Sequence, residues 1–88
     1  MILQKNDVFV FQEIKGKLVI LNSETGDYFG LNAVGLDFLN LVDAKRDTDE
    51  IILELLTRYE IDETTLRKDI LALVEVMQGK GIVTQVKP

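Results

Sequence analysis

An α+β domain, a three-stranded antiparallel sheet followed by three helices, is the fold class this sequence predicts, on three observations. Short runs of strand-forming residues occupy the first third of the chain, at Val8 to Phe11, Leu18 to Leu21 and Tyr28 to Leu31. The segments joining them are too short for a parallel crossover, so neighbouring strands must run antiparallel. Every apolar pattern of helical period comes after Asn32.

The first two strands flank Lys15-Gly16, a spacing that suits a hairpin with glycine at its tight turn. The segment from Leu21 to Asn32 is the most informative in the chain. Gly26 supplies the positive φ of a turn, Tyr28-Phe29-Gly30-Leu31 forms a short third strand, and Asn32 caps the first helix. As the last piece of sheet before the helices, that strand is expected to be an edge. Both faces of the first two strands are apolar, and helices cover only one. Val8, Phe9, Val10 and Phe11 are therefore expected either on a patch that meets another protein or beneath the folded-over chain ends.

The first helix is predicted from Ala33 to about Val42, with Val34, Phe38, Leu41 and Val42 at helical spacing and Gly35 weakening it slightly. Asp47 reads as the cap of a second helix, with Glu50 at its third position and Ile51, Ile52, Leu55, Leu56 and Tyr59 along one stripe. Asp62 caps the third and longest helix, whose stripe is Leu66, Ile70, Leu73, Val74 and Met77. Gly79 and Gly81 end it, and Lys80 complements its dipole. Ile82 to Val86 reads as a short terminal strand or an extended tail.

The 88 residues suit one domain spanning 1–88, and 47% hydrophobic against 28% charged residues is an ordinary globular composition. Histidine and cysteine are both absent, which removes disulfides, thiolate nucleophiles, the usual zinc and iron ligands and the commonest general base. A net charge of −5 repels a phosphate backbone. No apolar run approaches a membrane span, and the start lacks a signal peptide's apolar stretch, so a cytoplasmic location is expected.

Ser23, Thr25, Thr48 and Thr65 have no histidine to activate them, and each suits a cap or turn. The pairs Asp47/Asp49 and Asp62/Glu63 are ordinary first-turn acids, and Gly26 to Gly30 lacks the lysine and spacing of a phosphate loop. The expectation is a protein that is not an enzyme, with no cofactor and no metal.

Surface recognition remains. A free strand edge offers unpaired N–H and C=O groups, and the third helix can form the other wall of a groove in which a peptide adds as a strand. Helical angles put Arg67, Leu71, Val74 and Gln78 on one flank of that helix and Asp69, Val76 and Lys80 on the other. One flank faces the strand, and the periodicity does not choose between them.

The run Leu18 to Gly26, then Tyr28 to Asn32 with Gly35, then Asp47 to Leu56, and finally Asp69-Ile70, Leu73-Val74, Met77 and Gly81-Ile82-Val83 resembles the PqqD-like family, the RiPP recognition elements. Phe38 or Leu39 stands where that family often has tryptophan, and Leu73 where it often has phenylalanine. The resemblance implies a winged-helix-like fold and a non-catalytic peptide chaperone. It implies that a precursor's leader peptide binds as an added strand between the third strand and the third helix. It also implies a partner enzyme, either a radical SAM protein, as in pyrroloquinoline quinone synthesis, or a leader peptidase, as in lasso peptide synthesis. Carried onto this chain, the strand wall is Tyr28, Phe29, Gly30 and Leu31, and the helix wall is drawn from Leu66, Arg67, Ile70, Leu71 and Val74. Asp69 matches a family acidic position that would meet a basic leader residue. Two rival readings are a winged-helix nucleic-acid-binding module and a dimerisation module using the outer face of the first two strands. The charges on the third helix, Arg67, Lys68 and Lys80 against Asp62, Glu63, Asp69 and Glu75, disfavour the first rival.

Overall fold

A two-residue turn starts the sheet. Lys15 and Gly16 both take positive φ, 52° and 79°, which gives the turn a twist matching that of the flanking strands. The computed structural model describes residues 1–86. In chain order it contains β1 (Ile2–Lys5), β2 (Phe9–Ile14), β3 (Lys17–Asn22), β4 (Tyr28–Leu31), α1 (Ala33–Asp43), α2 (Thr48–Arg58), α3 (Glu63–Gly79) and β5 (Val83–Val86). The predicted meander is the antiparallel sheet β2-β3-β4, and the three predicted helices follow it.

Asn32, Asp47 and Asp62 are the helix caps, accepting from the backbone N–H groups of Gly35, Asp49 and Thr65 respectively. One buried layer joins the helices to the inner face of the meander, where Leu18, Ile20 and Leu31 meet side chains such as Phe38, Ile51, Ile70 and Met77. Leu36 and Leu39, outside the predicted stripe of α1, are also buried. That helix is covered from two sides, by β1, β3 and β4 on one and by α2 on the other.

The chain ends supply a second sheet that the amino-terminal sequence did not announce. β5, one of the two readings of the tail, pairs antiparallel with β1, Leu3 opposite Gln85 and Lys5 opposite Val83. Asn6 ties this ribbon to the meander: its N–H donates to the Ile82 carbonyl at 2.9 Å, its Nδ2 to the Gly81 carbonyl at 2.9 Å, and its Oδ1 accepts from the Val8 N–H at 3.0 Å. Phe9 and Phe11 point inward and are partly buried, bordering a cavity of about 640 Å³ shared with β1. Val10 points outward in a row with Leu21 and Tyr28, and all three are exposed.

Candidate functional site

The strand register fixes what β4 offers to its surroundings. Ile14 and Lys17 bracket the two-residue turn as a hydrogen-bonded pair, and the Asn22 N–H donates to the Asp27 carbonyl at 2.8 Å. Counting two residues at a time from Asn22/Asp27, the pairs Ile20/Phe29 and Leu18/Leu31 exchange hydrogen bonds, whereas Leu21/Tyr28 and Val19/Gly30 do not. The N–H and C=O groups of Tyr28 and Gly30 therefore point away from β3. Since β4 ends the order β2-β3-β4, those groups lie along a free edge.

Side chains along β4 alternate as backbones of period two require. Phe29 and Leu31 turn towards the helices, Leu31 being buried, while Tyr28 lies on the outer face at 79% exposure. Gly30 shares the outer face, and a Cβ added there would meet only the Leu18 carbonyl oxygen, at 4.0 Å. The far end of β4 is locked to α1. A Cβ on Gly35 would sit 2.9 Å from the Leu31 Cβ, so the helix start can approach the strand this closely only with glycine at that position.

One flank of α3 faces this edge. Leu66, Asp69, Ile70, Ala72 and Leu73 line an open cavity of about 520 Å³ together with Gly30, Leu31, Val34 and Ile61. At the other end of β4, the Lys80 Nζ stands 5.6 Å from the centre of the Phe29 ring. A smaller cavity of about 150 Å³ lies there, bordered by Tyr28, Phe29, Asp27 and Lys80. The strand and the helix thus run in opposite senses, with Leu31 beside the first half of α3 and Phe29 beside Lys80, the residue that caps its carboxy-terminal end.

Of the helix residues predicted for the wall, Leu66 and Ile70 form the floor of the larger cavity and Asp69 its rim. Arg67 is turned towards α2, its Nη1 donating to Asp49 Oδ1 at 2.7 Å and its Nη2 lying 3.5 Å from Glu63. The hydrogen bond that Arg67 donates to Asp49, and then the Asp49 charge, outweigh partial burial and raise the Arg67 pKa above its ordinary value. Leu71 shares the Arg67 flank and is 45% exposed, and Val74 is buried. Ala72, Leu73, Ile61 and Val34 border the groove although the sequence reading assigned none of them to its wall, placing Leu73 and Val34 only in helix stripes. The missing signal is the direction in which α3 rolls, which the contact between Lys80 and Phe29 reveals. Among the described residues no group of histidine, cysteine, aspartate and glutamate side chains is arranged to hold a metal ion.

A short free strand beside an apolar helix flank defines a small domain shaped to accept an extended chain. The chain belongs to the PqqD family: the family model for coenzyme PQQ synthesis protein D (PqqD) matches residues 17–83. A "PqqA binding protein" of Rhodopseudomonas palustris (strain TIE-1) is 29% identical over 77 residues, covering 88% of this chain and 74% of the relative. Two solved structures share the fold. TbiB1 in complex with the TbiA(beta) leader peptide superposes with a TM-score of 0.84 at 26% identity, over 97% of this chain and 99% of that one. A lasso peptide synthetase B1 complexed with the leader peptide gives a TM-score of 0.85 at 19% identity, over 97% of this chain and 100% of that one.

Proposed function

We propose that this chain is a non-catalytic peptide chaperone that binds the leader of a ribosomally made precursor as an added strand between β4 and α3. It then presents the precursor to a separate modifying enzyme or leader peptidase. The observation that carries this reading is the outward-facing backbone of Tyr28 and Gly30 beside the groove lined by α3. Backbone pairing there gives affinity, and alternate side chains of the added strand enter the apolar cavity and give selectivity. The names of the relatives support it, since one binds PqqA and two were solved with leader peptides.

In this reading the strand wall is Tyr28, Phe29, Gly30 and Leu31, and the helix wall is Leu66, Asp69, Ile70 and Leu73. Arg67, paired with Asp49 of α2, and the exposed Leu71 lie on the other flank of α3 and are not part of the wall. Binding precursors as they are made places the domain in the cytoplasm. Among the described residues no helix is long and apolar enough to cross a membrane.

Calorimetric titration with the leader segments, roughly 20–30 residues long, of precursors encoded beside the gene tests the reading. Saturable binding in the micromolar range or tighter is expected. Absence of heat and of any spectroscopic change with every neighbouring precursor would overturn it.

A further inference from the structure

The flank of α3 that faces β4 carries opposite charges at its two ends. Asp69 rims the larger cavity at the Leu31 end, and Lys80 stands over Phe29 at the other. Neither side chain forms an ion pair among the described residues, whereas Arg67 on the opposite flank is paired twice. Asp27 also borders the smaller cavity, but its carboxylate is engaged in its own turn, where Oδ2 accepts from Thr25 Oγ1 at 3.1 Å. Between the two charges the wall is Ala72, Leu73 and Val76, without a charge facing the strand.

We propose that Asp69 and Lys80 form an electrostatic clamp that fixes both the direction and the register of the bound peptide. This rests on the strand-addition reading above and adds to it the chemistry of the peptide. Eleven residues separate the two positions in the sequence, roughly 16 Å along a helix axis. The stretch facing α3, from Phe29 in β4 to the α1 cap Asn32 just beyond the strand, is about 10 Å long. Side chains of an added strand that face α3 recur every second residue, so the separation lying between these limits is four residues, about 13 Å. The matching peptide carries a base at position i, an apolar residue at i+2 over the cavity floor and an acid at i+4.

Direction follows from the sheet. The meander is antiparallel throughout, and an antiparallel addition is the more stable pairing per residue. A strand running antiparallel to β4 meets the Leu31 end first. Its base is therefore on the amino-terminal side, opposite Asp69, and its acid on the carboxy-terminal side, opposite Lys80. In the reversed order each charge meets its like.

The test starts from peptides selected on the wild-type domain from a displayed library of random fourteen-residue sequences, keeping those whose saturation moves the amide resonances of Tyr28 to Leu31. Each is synthesised with Lys-x-apolar-x-Glu in register, with the two charges exchanged, and with both replaced by glutamine. All three are measured against the wild type and against the Asp69→Lys/Lys80→Glu double variant. The wild type is expected to prefer the base-first peptide over its exchanged form by on the order of tenfold at low salt, and the double variant the reverse. Added salt should shrink both preferences. Retained peptides that bind with no charge preference, or with the same preference to both proteins, overturn the clamp and leave strand addition intact. If no selected peptide moves the β4 amides, strand addition itself falls and the clamp with it.

Discussion

Gly30→Pro separates backbone pairing from every other way of holding a peptide on this surface. The Gly30 N–H points out of the sheet, because Val19/Gly30 is the pair that exchanges no hydrogen bonds. Proline there removes a donor the fold does not use and sets its ring where a fourth strand would lie. The same change at Phe29 would break the β3 ladder instead. Loss of one backbone hydrogen bond costs about 0.5–1.5 kcal/mol, and a peptide carbonyl left unsatisfied adds about 1–3 kcal/mol. Together these give roughly 1.5–4.5 kcal/mol, a weakening of at least about tenfold in Kd and of more than about a thousandfold at the upper end. Gly30→Ala is the control: it keeps the N–H, and its Cβ meets only one carbonyl oxygen at 4.0 Å. Calorimetry with the leader peptide reads affinity, and urea unfolding confirms that both variants remain folded. A folded Gly30→Pro domain that binds as tightly as Gly30→Ala would refute backbone addition at β4.

Other expectations follow from the same geometry. Gly35→Ala puts a Cβ 2.9 Å from that of Leu31, and despite alanine's better helix propensity it should lower stability by about 1–2 kcal/mol in urea unfolding and weaken peptide binding as the end of β4 shifts. Arg67→Ala and Leu71→Ala should leave peptide affinity within about twofold of wild type by calorimetry, because both side chains lie on the flank of α3 away from β4. The Tyr59 hydroxyl donates to Asp37 Oδ2 at 2.6 Å, fastening the end of α2 to α1. That bond, burial and the Asp37 charge raise its pKa above the usual tyrosine value, so its contribution is present below the unfolded pKa and is lost as pH rises through the folded one. Thermal scans should show Tyr59→Phe melting a few degrees below wild type at neutral pH, with the difference closing above about pH 10.

The order from β2 to α3 and all three helix caps were legible because each has a local signal: glycine at a turn, a short polar side chain before an apolar stripe, and a period of two or of 3.6. The free edge of β4 was legible for a topological reason, since no further strand-forming run separated it from the helices. β1 was not legible. It has four residues and one deeply buried side chain, Leu3, too little for an alternation to stand out, and its partner lies some eighty residues away. Gly35 reads from sequence only as a weak helix former. Its steric role exists because α1 and β4 meet, a fact of tertiary packing. The flank of α3 that faces β4 was not legible for a similar reason: periodicity finds the buried stripe of the helix but not which neighbour lies on each flank, so Arg67 and Leu71 were as eligible as Leu73 and Lys80. The pairing of Arg67 with Asp49 on α2 and the position of Lys80 over Phe29 distinguish the flanks.

A backbone amide NMR titration with the leader of a neighbouring precursor tests the central claim most directly. Strand addition in the groove predicts saturable shifts confined to Tyr28 to Leu31 and to the Asp69, Leu73 and Lys80 flank of α3, with the Tyr28 and Gly30 amides newly protected from exchange. Shifts centred instead on Val10, Leu21 and the outer face of the sheet, with those two amides still exchanging freely, would contradict it.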